Sequence, residues 1–164
     1  MSGGRVQWHR IEDPSGKSVP TRLQAPRATA FRGGEGCWYA RGTVFFTTKH
    51  DNRVWAFDIA RQSLRILYDA TRAADPVLLG VDNVTTTAAG DVLVAEDSGD
   101  MQIVALTADG LTPIVQVEGH RESEVAGPAF DPSGTRLYFS SQRGASGRSS
   151  DGVTYEVSGA FTTS

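Results

Sequence analysis

Apolar residues along this chain come in short runs, each opened by a glycine turn and closed by polar residues. Gly42-Thr43-Val44-Phe45-Phe46-Thr47-Thr48-Lys49 is matched by Gly90-Asp91-Val92-Leu93-Val94-Ala95-Glu96-Asp97. A looser third copy is Gly134-Thr135-Arg136-Leu137-Tyr138-Phe139-Ser140-Ser141-Gln142. The turn glycines at 42, 90 and 134 are 48 and 44 positions apart, a spacing at which one unit of several short strands repeats.

Each copy has a strand before it and strands behind it. The first unit predicts strands over 36–40, 44–48, 53–58 and 63–68, and the second over 83–87, 92–95, 102–106 and 113–117. The third predicts 126–130, 137–140 and 153–157, one strand fewer. Turn chemistry separates them: Asp51-Asn52, Asp109-Gly110 and Asp131-Pro132-Ser133-Gly134. The fold class expected is all-β, a β-propeller segment of about three four-stranded antiparallel blades, or half of a six-bladed ring. Residues 1–30 are expected to form an N-terminal strand (Arg5 to Ile11) and loop, with Pro26 opposing a helix near Thr21 to Ala28. Residues 31–164 are expected to form the three-blade segment. Trp38, Tyr39, Phe46, Trp55 and Phe57 are expected to fill the spaces between blades.

Composition narrows the function. With 39% hydrophobic and 21% charged residues over 164, the chain is neither a disordered tail nor a fibre. No apolar run approaches the roughly 20 residues of a spanning helix. Sixteen basic against nineteen acidic residues give a net charge of -3, which excludes recruitment to nucleic acid by charge alone. Neither a nucleic-acid nor a membrane partner is expected. Cys37 has no intrachain disulfide partner; two residues after Glu35 it could be a soft ligand, and it reads rather as a buried structural thiol. The N-terminal residues contain no apolar leader.

Candidate chemistry gathers where the blades would meet a central channel. Glu35 lies in Gly33-Gly34-Glu35-Gly36, Asp82 and Asn83 in Gly80-Val81-Asp82-Asn83-Val84, and Glu124 in Ser123-Glu124-Val125-Ala126-Gly127. Glu96 and Asp97 end the second strand of the second unit. Carboxylates in apolar, glycine-rich surroundings are costly unless paired or metal-bound. Oxygen donors converging from successive repeats suit calcium, or iron with mixed ligands. Each of these residues could instead cap a turn through neighbouring backbone amides. Lys49 ends the strand equivalent to the one bearing Glu96, so it can face the channel and meet an anion, or sit at a solvated hairpin tip. His9, His50 and His120 have no ligand spacing.

Phe31-Arg32-Gly33-Gly34-Glu35-Gly36-Cys37-Trp38-Tyr39, Gly80 to Val84, Ala95-Glu96-Asp97 and Ser123 to Gly134 occur in order, after Trp8-His9-Arg10-Ile11-Glu12-Asp13-Pro14. Together they resemble the C-terminal half of the propeller of PhoX-type alkaline phosphatases, over nearly the whole chain. The Gln-His-Pro-Gly common in that family is Gln142-Arg143-Gly144 here. The resemblance implies a periplasmic or secreted six-bladed propeller that hydrolyses phosphate monoesters with calcium, and iron beside it. It implies Glu35, Glu96 and Glu124 as metal ligands with Asp82 and Asn83 beside them; Asp82 is expected as a further ligand, and Asn83 with the channel-facing Lys49 as residues of the catalytic site.

Three functions follow as expectations. The first is a metal-dependent phosphomonoesterase acting on small phosphate esters. The second is a propeller module for binding or assembly, without turnover. The third is a calcium-dependent lactonase-like hydrolase. A three-blade arc leaves two blade faces open, so a homodimer that completes the ring is expected, with the first strand of each copy completing the last blade of the other.

Overall fold

The computed structural model describes residues 3–161; residues 1–2 and 162–164, the outer ends of the two expected domain ranges, lie outside it. Strand β1 is Gly3–Arg5. Strands β2 (Gly34–Ala40), β3 (Thr43–Thr48), β4 (Arg53–Asp58) and β5 (Ser63–Asp69) follow one another as an antiparallel meander. The next meander is β6 (Val81–Thr86), β7 (Val92–Glu96), β8 (Gln102–Thr107) and β9 (Gly110–Gln116). The last is β10 (Val125–Phe130), β11 (Arg136–Ser141) and β12 (Val153–Ser158). The protein is therefore all-β, with twelve strands in three antiparallel sheets and no α-helix among the described residues. The hairpin joining β2 to β3 is a two-residue loop in which Arg41 and Gly42 both have positive φ (47° and 79°). That conformation matches the twist of the flanking strands, which is why a glycine opens the repeat there.

The middle sheet is buried on both faces. Val92 and Val94 of β7 pack with Val104 against Val54, Ala56 and Tyr68 of the first sheet. Leu93 and Ala95, with Ile103 and Ala105, pack against Val125, Leu137 and Phe139 of the third. Leu93, Val94, Ile103 and Val104 are fully buried, and each such side chain contributes about 1.5–3 kcal/mol of hydrophobic stabilisation. The two cores stack the sheets so that β2, β6 and β10 lie side by side.

The outward faces of the two end sheets differ. The first sheet turns Val44, Phe46, Trp55 and Phe57 to a groove of about 1050 Å³ that residues 4–31 partly line. Phe31 meets Phe46 and Trp55 edge-on, and Trp8 meets Phe57. On the third sheet Leu137 and Phe139 face the core, while Arg136, Tyr138 and Glu156 form a polar outer face.

Four expectations are corrected. The N-terminal strand covers Gly3–Arg5, not 5–11, because its register ends where β5 begins at Ser63. The chain then runs irregularly along its own first sheet, held by Val6 N–H on the Gln62 carbonyl and Trp8 Nε1 on Gln62 Oε1 at 2.6 Å. The strand thus pairs with β5 of the same chain rather than completing the third sheet of another copy. Phe46, Trp55 and Phe57 line the outer groove instead of filling an inter-sheet space, and Trp38 and Tyr39 are exposed. Cys37 is exposed, not a buried thiol.

Candidate metal centre

One irregularity recurs at the same place in all three sheets. Between Gly34 and Cys37, three steps on β2 oppose two on β3, from Thr48 to Phe46. The same extra residue falls between Val81 and Val84 on β6 and between Ala126 and Ala129 on β10. These are β-bulges, which bend a strand and re-aim its side chains. They hold Glu35 in the first sheet, Asp82 and Asn83 in the second, and Gly127 in the third.

The bulges are chained together. The buried Thr47 hydroxyl accepts from Gly36 N–H at 2.9 Å and donates to the Asp82 carbonyl. Asn83 Nδ2 donates to Asp82 Oδ1 at 2.7 Å, and its Oδ1 accepts the Gly127 N–H. Gly36 is required by this approach. A Cβ there would stand 2.5 Å from the Asp82 carbonyl oxygen and 2.7 Å from Val84 N. At Gly127 φ is +62°, a conformation glycine adopts without strain.

Beside this chain three half-buried carboxylates converge. Asp82, Asp97 and Glu124 each place an oxygen within 4.8 Å of the others. They come from the β6 bulge, the end of β7 and the entry to β10, so the site exists only because the second and third sheets are packed. Two cations face it. Lys49 Nζ pairs with Asp97, and the Arg143 guanidinium lies 4.0 Å from Asp97 Oδ1 and 3.7 Å from Glu124 Oε1. Burial pushes the Asp82 carboxyl above its usual range, the charge of Glu35 adds to this, and Lys49 opposes it. Glu35 itself is exposed, at the rim.

Glu96 is engaged differently. It is 1% exposed; its Oε1 accepts from Leu79 N–H at 2.9 Å and its Oε2 from Gln102 N–H at 3.0 Å. Burial raises its pKa and the two backbone donors partly offset that. Of the expected residues, the structure thus brings Asp82 and Glu124 together, with Asn83 and Lys49 against them and Glu35 at the rim. Glu96 is not in the three-carboxylate group. Asp97 and Arg143 are the additions. Asp97 was visible in Ala95-Glu96-Asp97, but β7 is buried along its whole length, so hydropathy gives no sign of which face each acid takes.

The donor set can be tested against calcium and iron from its chemistry. Three carboxylates offer up to six hard oxygens, which fits a calcium ion completed by water. Within the cluster there is no imidazole or thiolate to favour iron.

No family model matches the chain, and no curated protein does. A crystal structure of a protein of unknown function from Bacteroides thetaiotaomicron is similar to it, with a TM-score of 0.51 and 18% identity over 68% of this chain. The match takes in 28% of that protein's length, so the chain corresponds to under a third of it. At this identity the likeness concerns the arrangement of the sheets alone. No helix among the described residues is long and apolar enough to cross a membrane.

Proposed function

We propose that the three sheets are consecutive blades of a β-propeller arc, and that Asp82, Asp97 and Glu124 form a calcium site serving phosphate monoester hydrolysis. The observation that carries this is the convergence of three carboxylates from two sheets beside two cationic side chains. Calcium bound there would draw the phosphoryl oxygens in and offset charge as water attacks phosphorus and the ester P–O bond breaks. Lys49 and Arg143 then serve as partners for the outward phosphoryl oxygens, once the ion relieves them of Asp97 and Glu124. Asn83 holds the Asp82 carboxylate in place through its amide, a positioning duty. Glu35 adds negative charge at the rim. The resemblance to PhoX-type phosphatases supports the substrate class, and the oxygen-only donor set favours calcium over iron.

A second reading is favoured by the Lys49–Asp97 ion pair. A cluster already neutralised by its own lysine and arginine could tie blades together in a binding or assembly module without turnover. Hydrolysis of p-nitrophenyl phosphate and of a simple lactone, with added calcium and with chelator, separates the alternatives. Calcium-dependent release of nitrophenol is expected. Lactone turnover alone would move the reaction to the lactonase class, and calcium binding without either would leave the module. Completion of the ring by a homodimer is proposed from the open face of the first sheet. Against a head-to-tail arrangement stands the pairing of that apolar face with the polar one of the third sheet. A dimer mass by light scattering supports closure by a second copy, and a monomer mass overturns it.

A further inference from the structure

Behind the cluster lies a line of hydrogen bonds that the proposed chemistry does not use. Ser141 is fully buried, and Ser123 is 3% exposed. Ser141 Oγ donates to Ser123 Oγ at 2.8 Å, and His120 Nδ1 lies 2.8 Å from Ser141 Oγ on the other side. A serine hydroxyl has one hydrogen, and here it is already committed. With that hydrogen given to Ser123, the histidine contact is Nδ1–H donating to Ser141. Ser123 Oγ also accepts the backbone N–H of Arg143 at 2.8 Å.

The line ends at the site. Ser123 directly precedes Glu124, whose carbonyl accepts the Gln142 N–H at 3.0 Å. The Arg143 side chain is then steered by its Nε–H on the Glu122 carbonyl at 2.9 Å, which leaves its terminal nitrogens near Asp97 and Glu124. The main-chain N–H and the Nε–H of the arginine are both anchored in the 122–123 segment, and its Nη1 donates to Gln142 Oε1 at 2.8 Å.

We propose that His120 is a positioning residue. In its Nδ1–H form it donates to Ser141, which donates to Ser123, where the Arg143 backbone N–H also ends; this line fixes Arg143 over the carboxylates and so sets how much of their charge is open to a cation. This rests on the cation-site reading for its functional consequence, though not for the chain itself. Arg143 competes with an incoming cation, so releasing it should tighten cation binding.

The test uses the full chain with labelled histidine and arginine. Long-range proton–nitrogen spectra should show a proton on His120 Nδ1. Ser141→Ala should displace the Arg143 Nε–H resonance and Ser141→Thr should restore it. By terbium luminescence, His120→Ala should bind about three- to tenfold more tightly than the unaltered protein, the effect of loosening one partly screened charge. It should add nothing on an Arg143→Gln background, because the histidine acts through that arginine. A bare Nδ1, an Arg143 resonance indifferent to Ser141→Ala, or equal effects on both backgrounds would overturn the proposal. If the unaltered protein takes no terbium, the cation-site reading fails, and the histidine and arginine resonances still decide the chain.

Discussion

Glu96 and Asp97 are neighbours in the chain, yet their carboxylates take wholly different partners. Glu96 follows Val92 and Val94 onto the face toward the first sheet, where it takes two backbone N–H groups. Asp97 turns to the cluster with Asp82 and Glu124 and holds Lys49. One acid secures the turns that frame the site, and the other belongs to it.

Glu96→Ala should therefore act on stability. It strands two buried donors and leaves a cavity, at a cost of about 2–4 kcal/mol. Glu96→Gln keeps one acceptor and loses the buried charge, so about 1 kcal/mol is expected. Urea denaturation measures both.

The pH dependence without cation follows from two acids with raised folded pKa values, Glu96 and Asp82. A raised carboxyl contributes stability that is fully present below its unfolded pKa and lost as pH rises through the folded value. Asp13, Asp58, Asp69, Asp131 and Asp151 are lowered, chiefly by hydrogen bonds from neighbouring hydroxyls or backbone N–H groups, so their share is lost as pH falls. In chelator, the melting temperature should rise as pH drops from neutrality toward the ordinary carboxylate range and fall again below it. Asp82→Asn should flatten the first part of that curve.

Gly36→Ala drives a Cβ into the backbone of Asp82, Asn83 and Val84. Backbone cannot swing aside as a side chain can, so the first and second sheets must separate locally. A loss of about 2–3 kcal/mol is expected by thermal or urea denaturation, with weaker cation binding, since the bulge aims Asp82.

Over the outer groove, Trp8 is 74% exposed and Phe31 is 43% exposed, and both rest edge-on against aromatic rings of the first sheet. Trp8→Ala should cost under about 1 kcal/mol globally while speeding proteolysis within residues 6–31. Phe31→Ala, which loses two ring partners, should cost more.

The strands were legible because each repeat couples a turn glycine to an alternating apolar run. Arg53–Asp58 matches the expected range, and the others shift by one to three residues at their ends. The first strand misled because Val6, Trp8 and Ile11 read as strand residues, whereas register on β5 runs out at Arg5. Asp82 and Glu124 were legible as acids in glycine-rich contexts. Asp97 was legible as an acid beside Glu96, but its turn to the cluster was not, nor were Arg143 and the serine line, since their placement depends on bulges and on the stacking of two sheets.

Calcium titration by calorimetry of the unaltered protein, Asp97→Asn and Glu96→Gln tests the central claim most directly. A single saturable site is expected in the unaltered protein, weakened at least about tenfold by Asp97→Asn, the loss of one of three charged ligands. In Glu96→Gln that affinity should stay within about threefold, because this side chain binds backbone amides. Absence of saturable binding, or a loss confined to Glu96→Gln, would contradict a metal centre built on Asp82, Asp97 and Glu124.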